Sequence, residues 1–146
     1  MMDTKTDETN AFANMPKVLS GVAPYLSVGG AVKASEFYQR ALAAKEVMRV
    51  PVDEKGRTMH IHLYINGGSI MLADPYEEYG HPLEKPQGYT LHLQLGDDID
   101  TWWQRAIDAG MEVVMPLDLQ FWGDRYGQLR DPFGVLWSMG AQAQKA

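Results

Sequence analysis

The sequence predicts an α+β fold of two tandem β-α-β-β-β modules, which form a curved mixed sheet around a cleft. The first observation behind this prediction is an internal repeat. The segment from Phe37 to Leu42 (FYQRAL) returns sixty-five positions later as the segment from Trp102 to Ile107 (WWQRAI). The second observation is that strand-like and helix-like apolar periodicities follow each other in the same order in both halves of the chain. Two copies of so long a unit indicate a duplicated module, because a solenoid needs three or more repeats.

The first module is expected at residues 18–74, after a flexible N-terminal tail at residues 1–17 that has no periodicity. Its helix is indicated by Phe37, Tyr38 and Ala41, which share one helical face. Asn66-Gly67-Gly68 predicts a tight hairpin turn, since glycine readily takes the positive φ that such turns require. The expected elements are a strand at 21–28, a helix at 31–43, strands at about 46–52 and 58–65, and a returning strand at 69–74.

The second module is expected at residues 89–146, after a linker at 75–88 that contains three prolines. Trp102, Trp103 and Ala106 lie at the spacing of a buried helical face, so the two tryptophans are interpreted as packing residues. Gly110 should end this helix. The expected elements are a strand at 89–95, the helix, a strand at 111–115, a loop and strand at 119–130, a turn at 131–134 and a strand at 135–139.

Composition excludes several classes of partner and location. The chain of 146 residues has a net charge of −6 and no basic block, so nucleic acid is not expected as a partner. It has no apolar run of about 18 residues, so no membrane association is expected either. The absence of cysteine excludes disulfides and thiolate metal sites, and favours a cytoplasmic location.

Alternation along the strands predicts that one sheet face is apolar and packs under the helices, while the other is polar. The polar face would carry histidines, tyrosines and hydroxyls but no lysine or glutamate. It is therefore interpreted as the lining of a binding cleft rather than as a solvated sheet face. With two residues from the motif described next, the candidate ligand-binding residues are Tyr25, His60, His62, Tyr64, Met71, Thr90, His92, Trp122, Arg125 and Ser138.

A motif in the second module resembles a known family. The run from Phe121 to Gly127 (FWGDRYG), followed by Asp131 to Gly134 (DPFG) and Trp137, is similar to the PhnB-like branch of the glyoxalase and bleomycin resistance proteins. These belong to the vicinal oxygen chelate superfamily. The resemblance extends over about residues 21–140 and implies the family fold, in which two β-α-β-β-β modules form one domain around a cleft.

The resemblance also implies where a metal would bind. Family members that perform chemistry hold a divalent ion through one residue on the first and one on the last strand of each module. Alignment places these positions at Ala23, Met71, Thr90 and Ser138. None of these side chains is a good ligand for Zn²⁺ or Mn²⁺, so no metal and no cofactor are expected and catalysis is left open. The alternative is a displaced zinc site made of His60, His62 and His92.

The role of Arg125 depends on the turn after its strand. A two-residue turn would direct the guanidinium into the cleft, where it could bind an anion bidentately, and a three-residue turn would direct it away. Asp124 and Arg125 are therefore either a ligand-binding pair or a salt bridge that holds the loop.

The expected function is metal-free binding of a small molecule, with an anion among the candidates, in the cleft of a homodimer. The alternative is a metal-dependent lyase, isomerase or dioxygenase-type enzyme that uses the displaced histidines. The sequence leaves open whether the two modules pair within one chain or across two.

Overall fold

The computed structural model describes residues 14–143. Of the predicted tail at 1–17, residues 1–13 lie outside the described residues, and residues 14–17 form neither helix nor strand. The first module contains β1 (Tyr25–Ser27), α1 (Ala31–Leu42), β2 (Lys45–Arg49), β3 (Ile61–Ile65) and β4 (Gly68–Ala73). The second contains β5 (Leu91–Gln94), α2 (Ile99–Ala109), β6 (Glu112–Leu119), β7 (Asp124–Arg130) and β8 (Leu136–Gln142). A single 3₁₀ turn, Glu77–Tyr79, interrupts the linker.

Both modules have the same strand order, β1-β4-β3-β2 and β5-β8-β7-β6, and in each the first strand runs parallel to the last. The α+β class and the duplicated β-α-β-β-β architecture are thus confirmed. The two four-stranded sheets are separate and do not close onto each other. In the described part of the chain, no helix is long and apolar enough to span a membrane.

The bounds of β3 and β6 differ from the expected ones for different reasons. β3 begins at Ile61 rather than at residue 58, because Thr58 uses its amide and hydroxyl for local bonds to Asp74 and the Val50 carbonyl. β6 is longer than expected and includes Pro116. Proline is tolerated there because β6 is an edge strand whose register shifts between Met115 and Asp118.

The core lies between the helices and the inner faces of the sheets. Leu26, Leu63, Leu72, Trp137 and Met139 are all buried there, as strand alternation predicted. The hairpin turn also forms as expected: Asn66 and Gly67 both have positive φ, and His62 stands opposite Met71. Each helix thus covers one face of its sheet and leaves the polar face on the other side.

Contact between the modules is concentrated in the two helices, α1 and α2, which pack against each other. The Tyr38 hydroxyl of α1 donates a hydrogen bond of 2.6 Å to the Asp131 carboxylate in the second module. Asn66, at the hairpin tip, donates to the carbonyl of Gln94 over 3.0 Å. The contact between the modules is thus made mainly on the helix side of each sheet, and the polar faces lie on the opposite side.

Candidate functional site

The polar face of the first module carries a row of aromatic side chains. The Tyr25 hydroxyl lies 2.7 Å from His60 Nδ1 and 3.1 Å from the Met59 carbonyl oxygen. The ring centroids of His60 and His62 are 6.4 Å apart, and those of His62 and Tyr64 are 5.1 Å apart with the rings edge to face. Four predicted site residues are therefore continuous on this face.

The chain before β1 covers one end of this row. The Tyr64 hydroxyl donates to the Lys17 carbonyl over 2.7 Å, and the Leu19 amide donates to Ser69 Oγ over 2.7 Å. Ser69 Oγ in turn lies 2.7 Å from His62 Nε2, and His62 is buried. Tyr25, at the other end, is 54% exposed and borders a cavity of about 670 Å³ between β1 and the linker.

Burial changes the proton affinities on this face. Loss of solvent lowers the pKa of His60, and it lowers the pKa of His62 together with a smaller contribution from His60. Burial also raises the pKa of the Tyr25 hydroxyl. The face is therefore uncharged at neutral pH, with imidazole and phenol groups available as hydrogen-bond partners.

The polar face of the second module is organised around His92. Its Nδ1 lies 2.7 Å from Ser138 Oγ, and its Nε2 lies 2.9 Å from Gln94 Oε1. The tautomer with a proton on Nε2 satisfies both bonds, because the ring then donates to Gln94 and accepts from the Ser138 hydroxyl. Gly140 leaves room for the ring, since an added Cβ there would lie 2.8 Å from His92 Cε1.

An aromatic cluster extends this network toward the loop between β6 and β7. Tyr126 stacks on His92 with centroids 5.9 Å apart and an interplanar angle of 19°. Trp122 meets Tyr126 edge to face at 5.8 Å and is 49% exposed. Gln128 donates to the Tyr126 hydroxyl over 3.1 Å. The sequence analysis missed Tyr126 and Gln128. That their side chains lie on the polar face follows only from the register of β7 with β8.

Arg125 does not lie on the polar face, so the structure settles the orientation that the sequence left open for this candidate ligand-binding residue. It pairs in register with Ala141, a core residue, and its guanidinium makes a bidentate salt bridge of 2.7 and 2.8 Å to Asp100 of α2. The physical reason is the turn. Arg130 pairs with Leu136, which leaves five residues between the strands and directs Arg125 toward the helix.

The register also revises the four positions at which the family would hold a metal. Tyr25 stands opposite Met71, and His92 stands opposite Ser138. Tyr25 and His92 are again sixty-seven positions apart, as are Met71 and Ser138. Thr90 is exposed and precedes β5, so His92 rather than Thr90 is the neighbour of Ser138.

These residues do not suit a metal ion. His92 is the one strong ligand among the four, and both of its ring nitrogens are already hydrogen-bonded to protein groups. A thioether, a phenol and a neutral hydroxyl complete the set, and these are weak ligands for Zn²⁺ or Mn²⁺. Within residues 14–143, no three His, Cys, Asp or Glu side chains lie close enough to hold an ion, so one chain does not bring His60, His62 and His92 together.

Comparison with known sequences gives a family match and close relatives. The model of the Glyoxalase/Bleomycin resistance protein/Dioxygenase superfamily matches residues 21–139. An uncharacterized protein of Mycobacterium bovis is 41% identical over 125 residues, which cover 82% of this chain and 81% of that protein. An uncharacterized protein of Mycobacterium tuberculosis strain H37Rv has the same identity over 82% of this chain and 72% of its own length.

Solved structures share the fold. TioX from Micromonospora sp. ML1 superposes with a TM-score of 0.68 at 25% identity, covering 84% of this chain and 98% of that one. A PhnB protein from Bacillus cereus has a TM-score of 0.61 at 22% identity, covering 84% and 99%. The fosfomycin resistance protein FosX from Listeria monocytogenes, complexed with Mn(II), has a TM-score of 0.62 at 19% identity, covering 85% and 93%.

Proposed function

Because the chain belongs to the glyoxalase/bleomycin resistance protein/dioxygenase superfamily, we propose that it binds a small organic molecule on its polar sheet faces without using a metal ion. The motif around Trp122 further suggests a place in the PhnB-like branch. A cytoplasmic location stays a prediction from the lack of cysteine.

The observation that carries this proposal is the satisfied network around His92. The imidazole is held by Ser138 and Gln94, Tyr126 stacks on it, and the exposed Trp122 packs against Tyr126. Such a surface offers stacking and directional polar contacts from rigid groups, which are the usual means of binding a small ligand.

The ligand that suits this surface is uncharged and contains an aromatic ring. Arg125, the residue that suggested an anionic ligand, forms a salt bridge with Asp100 instead. Burial lowers the pKa values of His60 and His62, so these side chains offer no positive charge at neutral pH.

The cleft is proposed to form in a homodimer. Since the modules contact each other through α1 and α2, each polar face needs cover from outside the chain. A second copy supplies it if the first-module face of one chain meets the second-module face of its partner. Two-fold homodimers are the commonest oligomers.

The metal-dependent alternative requires His60, His62 and His92 to meet a common ion across such an interface. Elemental analysis of the protein after purification without chelators tests it. Stoichiometric Zn, Mn, Ni or Fe would favour the enzyme, whereas the binding function requires none.

A thermal-shift screen of a small-molecule library, followed by calorimetric titration of the compounds that bind, tests the binding function. Trp122→Ala and His92→Ala should each weaken binding about tenfold. The first removes an exposed ring on which the ligand can stack, and the second removes the ring that supports Tyr126. Arg125→Gln is the matched control and should bind as the wild type does, because Arg125 faces α2. Equal loss of binding in all three variants would contradict the proposed site.

A further inference from the structure

The internal repeat places two equivalent arginines in one groove on the helix side of the molecule. Arg40 of α1 and Arg105 of α2 occupy the same position of the repeated segment. Because α1 and α2 pack together, both side chains border a cavity of about 570 Å³, which we call the helix groove. Its lining residues are Arg40, Thr101, Gln104, Arg105, Asp108 and Ala109.

These two guanidinium groups differ from most other arginines of the protein. Arg49, Arg57 and Arg125 each form a salt bridge with a carboxylate. Neither Arg40 nor Arg105 has such a partner within residues 14–143. In the same part of the chain, Arg105 Nη1 is buried without any hydrogen-bond partner. Both guanidinium groups therefore keep N–H donors that no carboxylate of the described residues uses.

Both guanidinium groups are also held in place by aromatic rings. Arg105 Cζ lies 5.1 Å from the centroid of Trp102, and Arg40 Cζ lies 5.8 Å from that of Phe37. Cation–π attraction keeps each guanidinium near its ring without using any of its N–H donors. Arg40 uses one of them in a long bond of 3.4 Å to the Glu36 carbonyl. The two arginines are therefore pre-oriented donors, and they make few hydrogen bonds within the protein.

We propose that the helix groove is a binding site for a phosphate group, held between Arg40 and Arg105. A tetrahedral oxyanion presents acceptors in several directions and can accept from two guanidinium groups at once. Thr101 and Gln104 add neutral donors on the same wall. This site is separate from the polar faces and requires neither the proposed ligand nor the dimer.

One negative charge opposes the anion. Asp108 borders the groove, and its Oδ1 accepts a hydrogen bond of 2.9 Å from Gln104 Nε2. The two positive charges outnumber it, so the groove remains attractive to a phosphate. Removing the carboxylate charge should strengthen binding, which gives a test that does not depend on damaging the site.

Calorimetric titration of the full chain with inorganic phosphate, at constant ionic strength, tests the proposal. The wild type should bind one equivalent saturably. Arg40→Gln and Arg105→Gln should each weaken binding about tenfold or more, as expected for the loss of charge-assisted hydrogen bonds. Arg49→Gln is the matched control, an exposed arginine of β2 outside the groove, and should bind as the wild type does. Parallel titration with phenyl phosphate distinguishes a free ion from a phosphate carried on an organic molecule, which would bind more tightly.

Two further variants keep the proposal testable if Arg105→Gln does not fold. Arg105→Lys retains the charge but loses the planar fork, and should still weaken binding. Asp108→Asn retains an acceptor for Gln104 and should tighten binding several-fold. No saturable phosphate binding by the wild type, or unchanged affinity in the arginine variants and in Asp108→Asn, would overturn the proposal.

Discussion

At the scale of single residues, Asp131 is the side chain on which the joint between the two modules depends. Its Oδ1 accepts from the amides of Phe133 and Val135, and its Oδ2 accepts from Tyr38 and Trp137. All four bonds are made by one buried carboxylate. The same group therefore folds the turn before β8 and fastens α1 to the second module.

Asp131→Asn should lower the free energy of unfolding by about 2 to 3 kcal/mol, because an amide nitrogen would face a donor that has no other acceptor. Tyr38→Phe should cost about 1 kcal/mol, since it removes one of the four bonds. Urea denaturation followed by circular dichroism measures both. Asp118→Asn, at an exposed position, is the control and should leave the midpoint unchanged.

The histidines of the first polar face predict how stability depends on pH. Their folded pKa values lie below the unfolded value near 6.5, so the unfolded chain binds more protons in that range. Stability is full above about pH 6.5 and should fall as the pH drops from there toward the folded pKa values.

Urea midpoints between neutral and mildly acidic pH check this dependence. The His60→Gln, His62→Gln double variant should lose most of the decrease. His81→Gln, at an exposed histidine of the linker, should behave as the wild type does. An unchanged slope in the double variant would contradict the assignment to these two side chains.

At the scale of elements, β7 and α2 approach too closely for any side chain at Gly127. A Cβ there would lie 2.6 Å from the Trp103 ring and 2.8 Å from the Leu117 Cα. Gly127→Ala should therefore destabilise the protein by about 1 to 3 kcal/mol, the usual cost of overpacking a core.

Thermal and urea unfolding of Gly127→Ala measure that cost. The matched control is Gly21→Ala, because an added Cβ at Gly21 meets no atom within 4 Å. Equal stability of the two variants would show that β7 and α2 can move apart freely.

The strand faces were predictable from the sequence wherever one face of a strand is buried. Leu26, Leu63 and Leu93 fall on the apolar side because alternation leaves no other choice. Arg125 was ambiguous because its facing depends on the turn before β8. That turn is set by the Asp131 carboxylate, which Tyr38 of the other module helps to hold. A contact across 93 positions is not visible in a local pattern.

At the scale of the whole molecule, the uncovered polar faces predict a dimer in solution. Light scattering at micromolar concentration should give twice the chain mass of 16.4 kDa. The interface should bury more than about 1,000 Å², the size that separates specific contacts from packing contacts. A mass near that of one chain would contradict the proposed assembly.

The duplication was predictable from the repeat, and so were the two modules and most of the residues on each face. The contact between the modules was not predictable, because the apolar periodicity of a helix does not tell which element it packs against. The apolar stripes of α1 and α2 suit a sheet or another helix equally well. Phe37 and Tyr38 pack on their own module and also on Phe133 of the second, so the apolar stripe of α1 contacts both modules.

Because the modules are joined through their helices, each chain has two different half-sites, the polar face of the first module and the polar face of the second. In the proposed dimer, Tyr25→Ala damages one half of each cleft and His92→Ala damages the other half. Each variant alone therefore forms homodimers with two defective clefts. A heterodimer of the two variants concentrates both defects in one cleft and leaves the second intact. Refolding the two variants together should thus restore wild-type affinity, which neither variant has separately, at one cleft per heterodimer.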